Sequence, residues 1–255
     1  MAWVISSLVP IIIAPIIYRV KRFSSSQKLY LLAAALSGTV GIILSLARGS
    51  WISLIVSIVI PIIFGWFRLR LTERKTYVIY LGFACILACL FLAPFALRIY
   101  DRLNNDDQGS ALIRVPLMET ALRIIEDNPL VGVGLNGYRD NMTRYDETGI
   151  FVSQIFPNPV HNVFAHITAE IGIPGGILFF LLILVALYEC FKSLNASDAL
   201  LCAIALGTGV GIIAFVISAM KEPGSLGSVR PPIRTLFFLF GAALAVSRMR
   251  RRLLS

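Results

Sequence analysis

Charge is scarce in this chain. Asp, Glu, Lys and Arg make up 15% of its 255 residues, while hydrophobic residues make up 57%. Soluble domains carry about 25% charged and about 45–50% apolar residues, so the composition argues against a water-soluble enzyme. Intrinsic disorder is excluded too, because the apolar residues arrive in long blocks. Cysteines number only 4, and Cys85, Cys89, Cys190 and Cys202 all fall inside those blocks. There they act as small buried hydrophobes, which leaves neither a disulfide nor a zinc framework. The 2 histidines, His161 and His166, form no H-E-x-x-H pattern. His166 shares a helix face with Glu170 alone, so no metal site is expected. Acidic residues are the minority, 14 against 23 Lys and Arg, for a formal net charge of +9. In so apolar a chain this excess reads as the orienting charge of membrane helices rather than as a nucleic-acid surface. No internal repeat and no low-complexity segment is present.

What is present is a set of about seven apolar segments, each near the length that crosses a hydrocarbon core of about 30 Å. They cover 2–18, 29–47, 51–67, 77–97, 163–191, 199–220 and 235–247. The fold expected is all-α, a polytopic transmembrane helical bundle. It divides into four N-terminal spans over 1–97, a long loop over 98–160 and three C-terminal spans over 161–255. The fifth segment is broken by Pro174-Gly175-Gly176, a break tolerated where neighbouring groups satisfy the freed backbone. One side of the bundle collects Arg19, Lys21, Arg22 and Lys28, then Arg68, Arg70, Arg74 and Lys75, then Lys192, then Arg248, Arg250, Arg251 and Arg252. By the positive-inside rule that side is cytoplasmic. The mildly acidic loop is then extracytoplasmic, with the N-terminus outside and the C-terminus inside. Such a start, with no sorting charge before the first span, is explained by an upstream portion absent from this sequence.

Only the long loop has room for chemistry, since loops beyond about 12–15 residues are usually functional. It contains a helical pattern over 112–126, a turn at Asp127-Asn128-Pro129 and the run Gly132-Val133-Gly134-Leu135-Asn136-Gly137. That run matches G-x-G-x-x-G, but a helical pattern precedes it where a dinucleotide site needs a strand. The glycines are expected to allow tight turns and close approach of backbone to a ligand. On the predicted helix Arg114 shares a face with Met118, Ala121 and Ile125, so it should be buried or face a cavity. Pro116 either kinks that helix or starts it after Arg114. Arg123 is expected to pair with Glu119 or Glu126 on its own helix. Arg48 stands in the short junction Ala47-Arg48-Gly49-Ser50-Trp51, as an interface anchor or as a fixed guanidinium for phosphate. His161 follows Asn158-Pro159-Val160. With Pro159 near the first helical position, His161 falls in the first turn, where the helix dipole keeps its imidazole neutral and fit to be a general base. Asn162 beside it is placed to orient the ring.

Three blocks carry a resemblance. They are the Ala47-Arg48-Gly49-Ser50-Trp51 junction, the stretch from Arg114 through Asn128-Pro129-Leu130-Val131-Gly132-Val133-Gly134, and His161-Asn162 followed by Glu170-Ile171-Gly172 and Gly175. In this order they resemble the O-antigen ligase/polymerase superfamily of bacterial membrane glycosyltransferases, across roughly residues 48–180. The resemblance implies a multi-pass inner-membrane enzyme with a periplasmic catalytic loop. It implies an undecaprenyl diphosphate-linked glycan as donor and a lipid A-core hydroxyl as acceptor. Transfer would need no metal and no cofactor. His161 would be the catalytic histidine, Arg48 and Arg114 the arginines that engage the donor diphosphate, and Asn162 a further substrate-binding residue. Polysaccharide polymerases and protein O-oligosaccharyltransferases share the pattern and differ in acceptor. The superfamily has about twice the spans found here, which again points to a missing N-terminal half. A small-anion transporter or an inactive fragment is the alternative of another class, though the spans carry almost none of the mid-membrane charge that transport uses.

Overall fold

The computed structural model describes residues 2–18, 23–68, 74, 78–79, 82, 86, 89–104, 110–221 and 231–254. Every regular element among them is helical. In chain order these are α1 (Ala2–Ile17), α2 (Ser25–Leu44), α3 (Arg48–Arg68), a 3-10 turn (Ala93–Phe95), α4 (Ala96–Asn104), α5 (Ser110–Asp127), α6 (Tyr138–Asn141), α7 (Val152–Ile155), α8 (Val163–Ser193), α9 (Ala199–Ala219) and α10 (Pro231–Leu254). Among them α2, α3, α8 and α9 are long and apolar enough to cross a membrane, and α1 is apolar but shorter. The expected span over 77–97 is described only in part, at 78–79, 82, 86 and 89–97, and Arg19, Lys21, Arg22, Arg70 and Lys75 of the basic clusters lie outside the described residues. The last expected span lies within α10.

Local chemistry sets the helix starts. Ser24 caps α2 in a reciprocal box with Gln27, each side chain satisfying an orphan backbone N–H of the other. Asp198 caps α9 by accepting from the N–H groups of Leu200 and Leu201. Between helices, small and hydroxylated residues make the closest approaches, as expected where lipid supplies no hydrophobic drive for association, around a core of larger apolar side chains such as Trp3, Phe215 and Leu239. α1 crosses α9 so closely that a Cβ on Gly207 would lie 2.6 Å from the Cα of Ile11. Ser53 of α3 and Ser218 of α9 are hydrogen-bonded at 2.7 Å, and Ser57 donates to the Ser6 carbonyl of α1 at 2.7 Å.

These pairings run α1 and α3 antiparallel to α9, and the short turn after Ser193 makes α8 antiparallel to α9 as well. The starts of α1, α3 and α8 therefore gather at one end of the bundle with the end of α9. At the other end Glu189 of α8 accepts from Ser247 at 2.6 Å and pairs with Arg250 of α10 at 3.1 Å. Lys28, Lys192 and the arginines near the end of α10, Arg248, Arg250, Arg251 and Arg252, collect there, as the sequence pattern expected of these residues.

α8 is in fact two helices. At Gly172 the backbone takes φ 74° and ψ 174°, and helical geometry resumes after it. From the break to Ser193 there are about 21 residues, or about 32 Å at 1.5 Å per residue, enough to cross the hydrocarbon core. The part after Gly172 is thus long enough to cross by itself, and the turns before it, Val163 to Ile171, pack both on the bundle core and under the loop.

Candidate active site

Residues 110–160 fold into a compact layer over the first turns of α8. α5 begins ahead of the predicted 112–126 and runs straight through Pro116, which neither starts nor ends it. Its inner face places Leu117, Ala121 and Ile124 against Tyr138, Met142, Val152, Val160 and Ala169, all buried. Arg114 lies one turn before this core and is exposed. That corrects the buried half of the expectation for Arg114: the apolar stripe runs on to Ile113, which packs against the core, while Arg114 beside it turns outward.

The glycine-rich run closes the helix break. Pro174 has no N–H, so at the break Glu170 loses its helical donor, and Ile173 is turned away from Ala169. Three backbone hydrogen bonds replace these. Val133 N–H donates to Ala169 O at 3.0 Å, Gly134 N–H to Glu170 O at 2.9 Å, and Ile173 N–H to Pro129 O at 2.7 Å. Gly132 and Gly172 both have positive φ, and a Cβ on either would overlap backbone of the other segment. At Gly132 the close approach is made to the protein's own main chain. The requirement for satisfied backbone groups is met by residues 129–134.

His161 sits just outside α8, not in its first turn. Asn162 is the N-cap, and its Oδ1 accepts from the N–H groups of Phe164 and Ala165 at 2.9 and 3.1 Å. Asn is a strong capping residue, and it starts the helix four residues later than Pro159 would. The amide oxygen of Asn162 is thereby turned toward the helix rather than the imidazole. The His161 ring instead packs on Phe156, with centroids 5.7 Å apart. Burial, and then the positive charge of Arg114, hold its pKa below the ordinary histidine value. Neutral imidazole is favoured, as expected, but by desolvation and a guanidinium rather than by position within the helix. Its Nδ1 is enclosed and has no hydrogen-bond partner among the described residues.

Arg48 begins α3, after a turn in which Leu46 takes φ 53° and Ala47 O accepts from Ser50 N–H. It lies at the same end of the bundle as His161 but on a different set of helices, since α3 packs chiefly on α1, α9 and α2. The stem of Lys221 lies against Gly49, where a Cβ would come within 3.2 Å of its Cδ. The structure thus places Arg114 within electrostatic reach of His161 and lays the stem of Lys221, a cation that the sequence did not single out, against Gly49, the residue after Arg48.

Several supporting residues also escaped the sequence. The Asp146 carboxylate is buried and accepts from the Thr148 hydroxyl, from Thr148 N–H at 3.1 Å and from Ser153 N–H at 2.6 Å. Burial alone would raise its pKa, but these hydrogen bonds prevail and lower it. Arg123 reaches across to Glu147 at 2.8 Å, rather than pairing on its own helix, because the 141–151 turn folds back over α5. Beneath the loop, His166 Nε2 lies 3.3 Å from Glu170 Oε1, both buried. Tyr138 packs edge-on against the His166 ring at 4.8 Å, and burial raises its phenol pKa. No group of three or more His, Cys, Asp or Glu side chains assembles into a metal-binding set among the described residues. The Asx-type spacing Asp146-x-Thr148 was the available signal for the Asp146 turn.

No curated protein matches the chain. A family model described as O-antigen ligase matches residues 32–180. The match takes in Arg48, Arg114, His161, the glycine-rich run and the broken start of α8. Covering more than half of the sequence, it places the chain in the O-antigen ligase family.

Proposed function

We propose that this multi-pass membrane protein transfers a glycan from undecaprenyl diphosphate to an acceptor hydroxyl, with lipid A-core as the acceptor, on the periplasmic face of the inner membrane. The observation that carries the reading is the His161–Arg114 pair. A half-buried imidazole, kept neutral by burial and a neighbouring guanidinium, stands at the loop-side end of a membrane bundle. In the reaction His161 takes the proton of the acceptor hydroxyl, and the oxygen bonds to the anomeric carbon of the donor sugar. The bond from that carbon to the diphosphate breaks, and undecaprenyl diphosphate leaves with the electron pair. Arg114 and Arg48 offset the charge on the leaving diphosphate, the role of preorganised cations in phosphate chemistry. Two guanidinium groups can do this without a metal ion. Asn162, by capping α8, fixes the backbone on which His161 stands, and its amide nitrogen is left to the acceptor or donor.

The test uses membranes containing the protein, supplied with purified undecaprenyl diphosphate-linked glycan and lipid A-core. Glycan appearing on lipid A-core, read by mass spectrometry, supports the ligase reading. Glycan lengthened on the lipid carrier replaces it with polymerase activity, and glycan on protein hydroxyls with protein O-glycosylation. Donor left intact with every acceptor overturns the enzyme.

A further inference from the structure

We infer that Leu130 and Val131 form an apolar wedge seated in the outer edge of the bilayer, against lipid chains. Leu130 is 73% exposed and Val131 77%; the layer has other exposed apolar residues, Leu112 and Ile155 among them, but these two are the pair held against the α8 break. Main-chain geometry fixes their depth. Ile173 N–H donates to Pro129 O at 2.7 Å, and Gly172 is in contact with the Leu130 main chain. Both residues are therefore held beside the α8 break. That break is where the membrane-crossing half of α8 begins, about 32 Å from its far end at 1.5 Å per residue. Past it, Ile173, Ile177, Leu178, Leu181 and Leu182 are all exposed, as the lipid-facing surface of a span is. Leu130 and Val131 continue that surface upward by one step, off the helix and onto the loop.

The covering partner is a lipid surface because this patch is continuous with the exposed apolar face of a helix long enough to cross a membrane. The backbone on either side of the patch is satisfied by α8, through Pro129 O before it and the Val133 and Gly134 N–H groups after it, which reduces the polar groups stranded at the hydrocarbon boundary. Apolar side chains at that level lie in the interface plane as monotopic anchors do. The wedge is rigid as well, since three main-chain hydrogen bonds hold residues 129–134 to the break. It thus sets the height of the loop layer above the membrane without belonging to the His161 site.

The experiment adds one tryptophan, as Val131→Trp or Leu130→Trp, and compares each variant with the wild-type protein in phosphatidylcholine vesicles. Thr143→Trp, at an exposed loop position, is the water-facing control. The emission added at 131 or 130 should be blue-shifted, lose most of its intensity in vesicles brominated near the top of the acyl chains, and resist aqueous acrylamide. The control should show the reverse. Added emission at both positions that acrylamide quenches as readily as at 143, with no response to bromine, would overturn the wedge. The readout needs no glycan transfer, so it stands or falls separately from the proposed activity.

Discussion

Arg114 lies close enough to His161 for its charge to oppose protonation of the imidazole, adding to the effect of burial. The relationship is measurable, because the chain has only 2 histidines and their ring signals can be followed by NMR. His161 should titrate below the ordinary value of about 6.5. Arg114→Gln should move its midpoint upward, and burial should keep it from returning fully. A wild-type midpoint at or above the ordinary value, or no response to Arg114→Gln, contradicts the pairing. The same sign governs activity. The neutral base persists as pH falls through mild acidity, and the acid limb of the rate profile lies below the histidine norm.

The docking of the glycine-rich run on α8 ranks three substitutions. Gly132→Ala and Gly172→Ala each combine positive φ with overlap against backbone. Gly134→Ala meets only an unfavourable φ, since a Cβ added there would find nothing within 4 Å. Strained backbone alone costs of order 1–3 kcal/mol, so Gly134→Ala should lower the thermal midpoint least and the other two clearly more. Equal midpoints for all three would show that the run does not close the helix break.

Asp146 ties the 146–153 turn through charge-assisted hydrogen bonds, each worth about 1.5–3 kcal/mol. Its pKa is lowered in the folded protein, so this contribution is complete above the unfolded value of about 3.9 and is lost as pH falls through the folded value. Asp146→Asn should therefore speed hydrogen exchange at residues 148–155 at neutral pH. The wild-type turn should hold until strongly acid conditions. Unchanged exchange in the variant would remove the carboxylate from the account.

Arg48 and Arg114 should behave as diphosphate ligands. Either one changed to Ala should abolish transfer while the protein remains inserted, and Lys should rescue only in part, because a point charge replaces a planar fork. Full activity of both Ala variants, measured with the same lipid-linked donor, would leave them as interface residues.

The sequence disclosed what depends on local pattern. Hydropathy located the spans of α2, α3, α8 and α9, and the period of 112–126 located α5. It could not disclose what depends on residues far apart in the chain. The glycine run reads as a turn, but that it meets the carbonyls of Ala169 and Glu170 is a tertiary fact. Arg123 has two acidic neighbours on its own helix, and Glu147 wins because a turn folds back over α5. At His161 two local signals competed, and the Asn162 cap prevailed over Pro159 as the helix start. Tyr138, alone in an irregular stretch, showed no period to mark it as core, yet it is fully buried.

The central claim is that His161 removes the acceptor proton, and the rate of transfer by His161→Ala tests it most directly. General-base help is typically worth 10²–10⁴-fold. The measurement is transfer from purified undecaprenyl diphosphate-linked glycan, with donor binding followed in parallel and His166→Gln as the comparison. His161→Ala should lose about two to four orders of magnitude in rate with donor binding largely kept, and His166→Gln far less, since that ring is buried against Tyr138 and Glu170. Wild-type rates from His161→Ala would contradict the account.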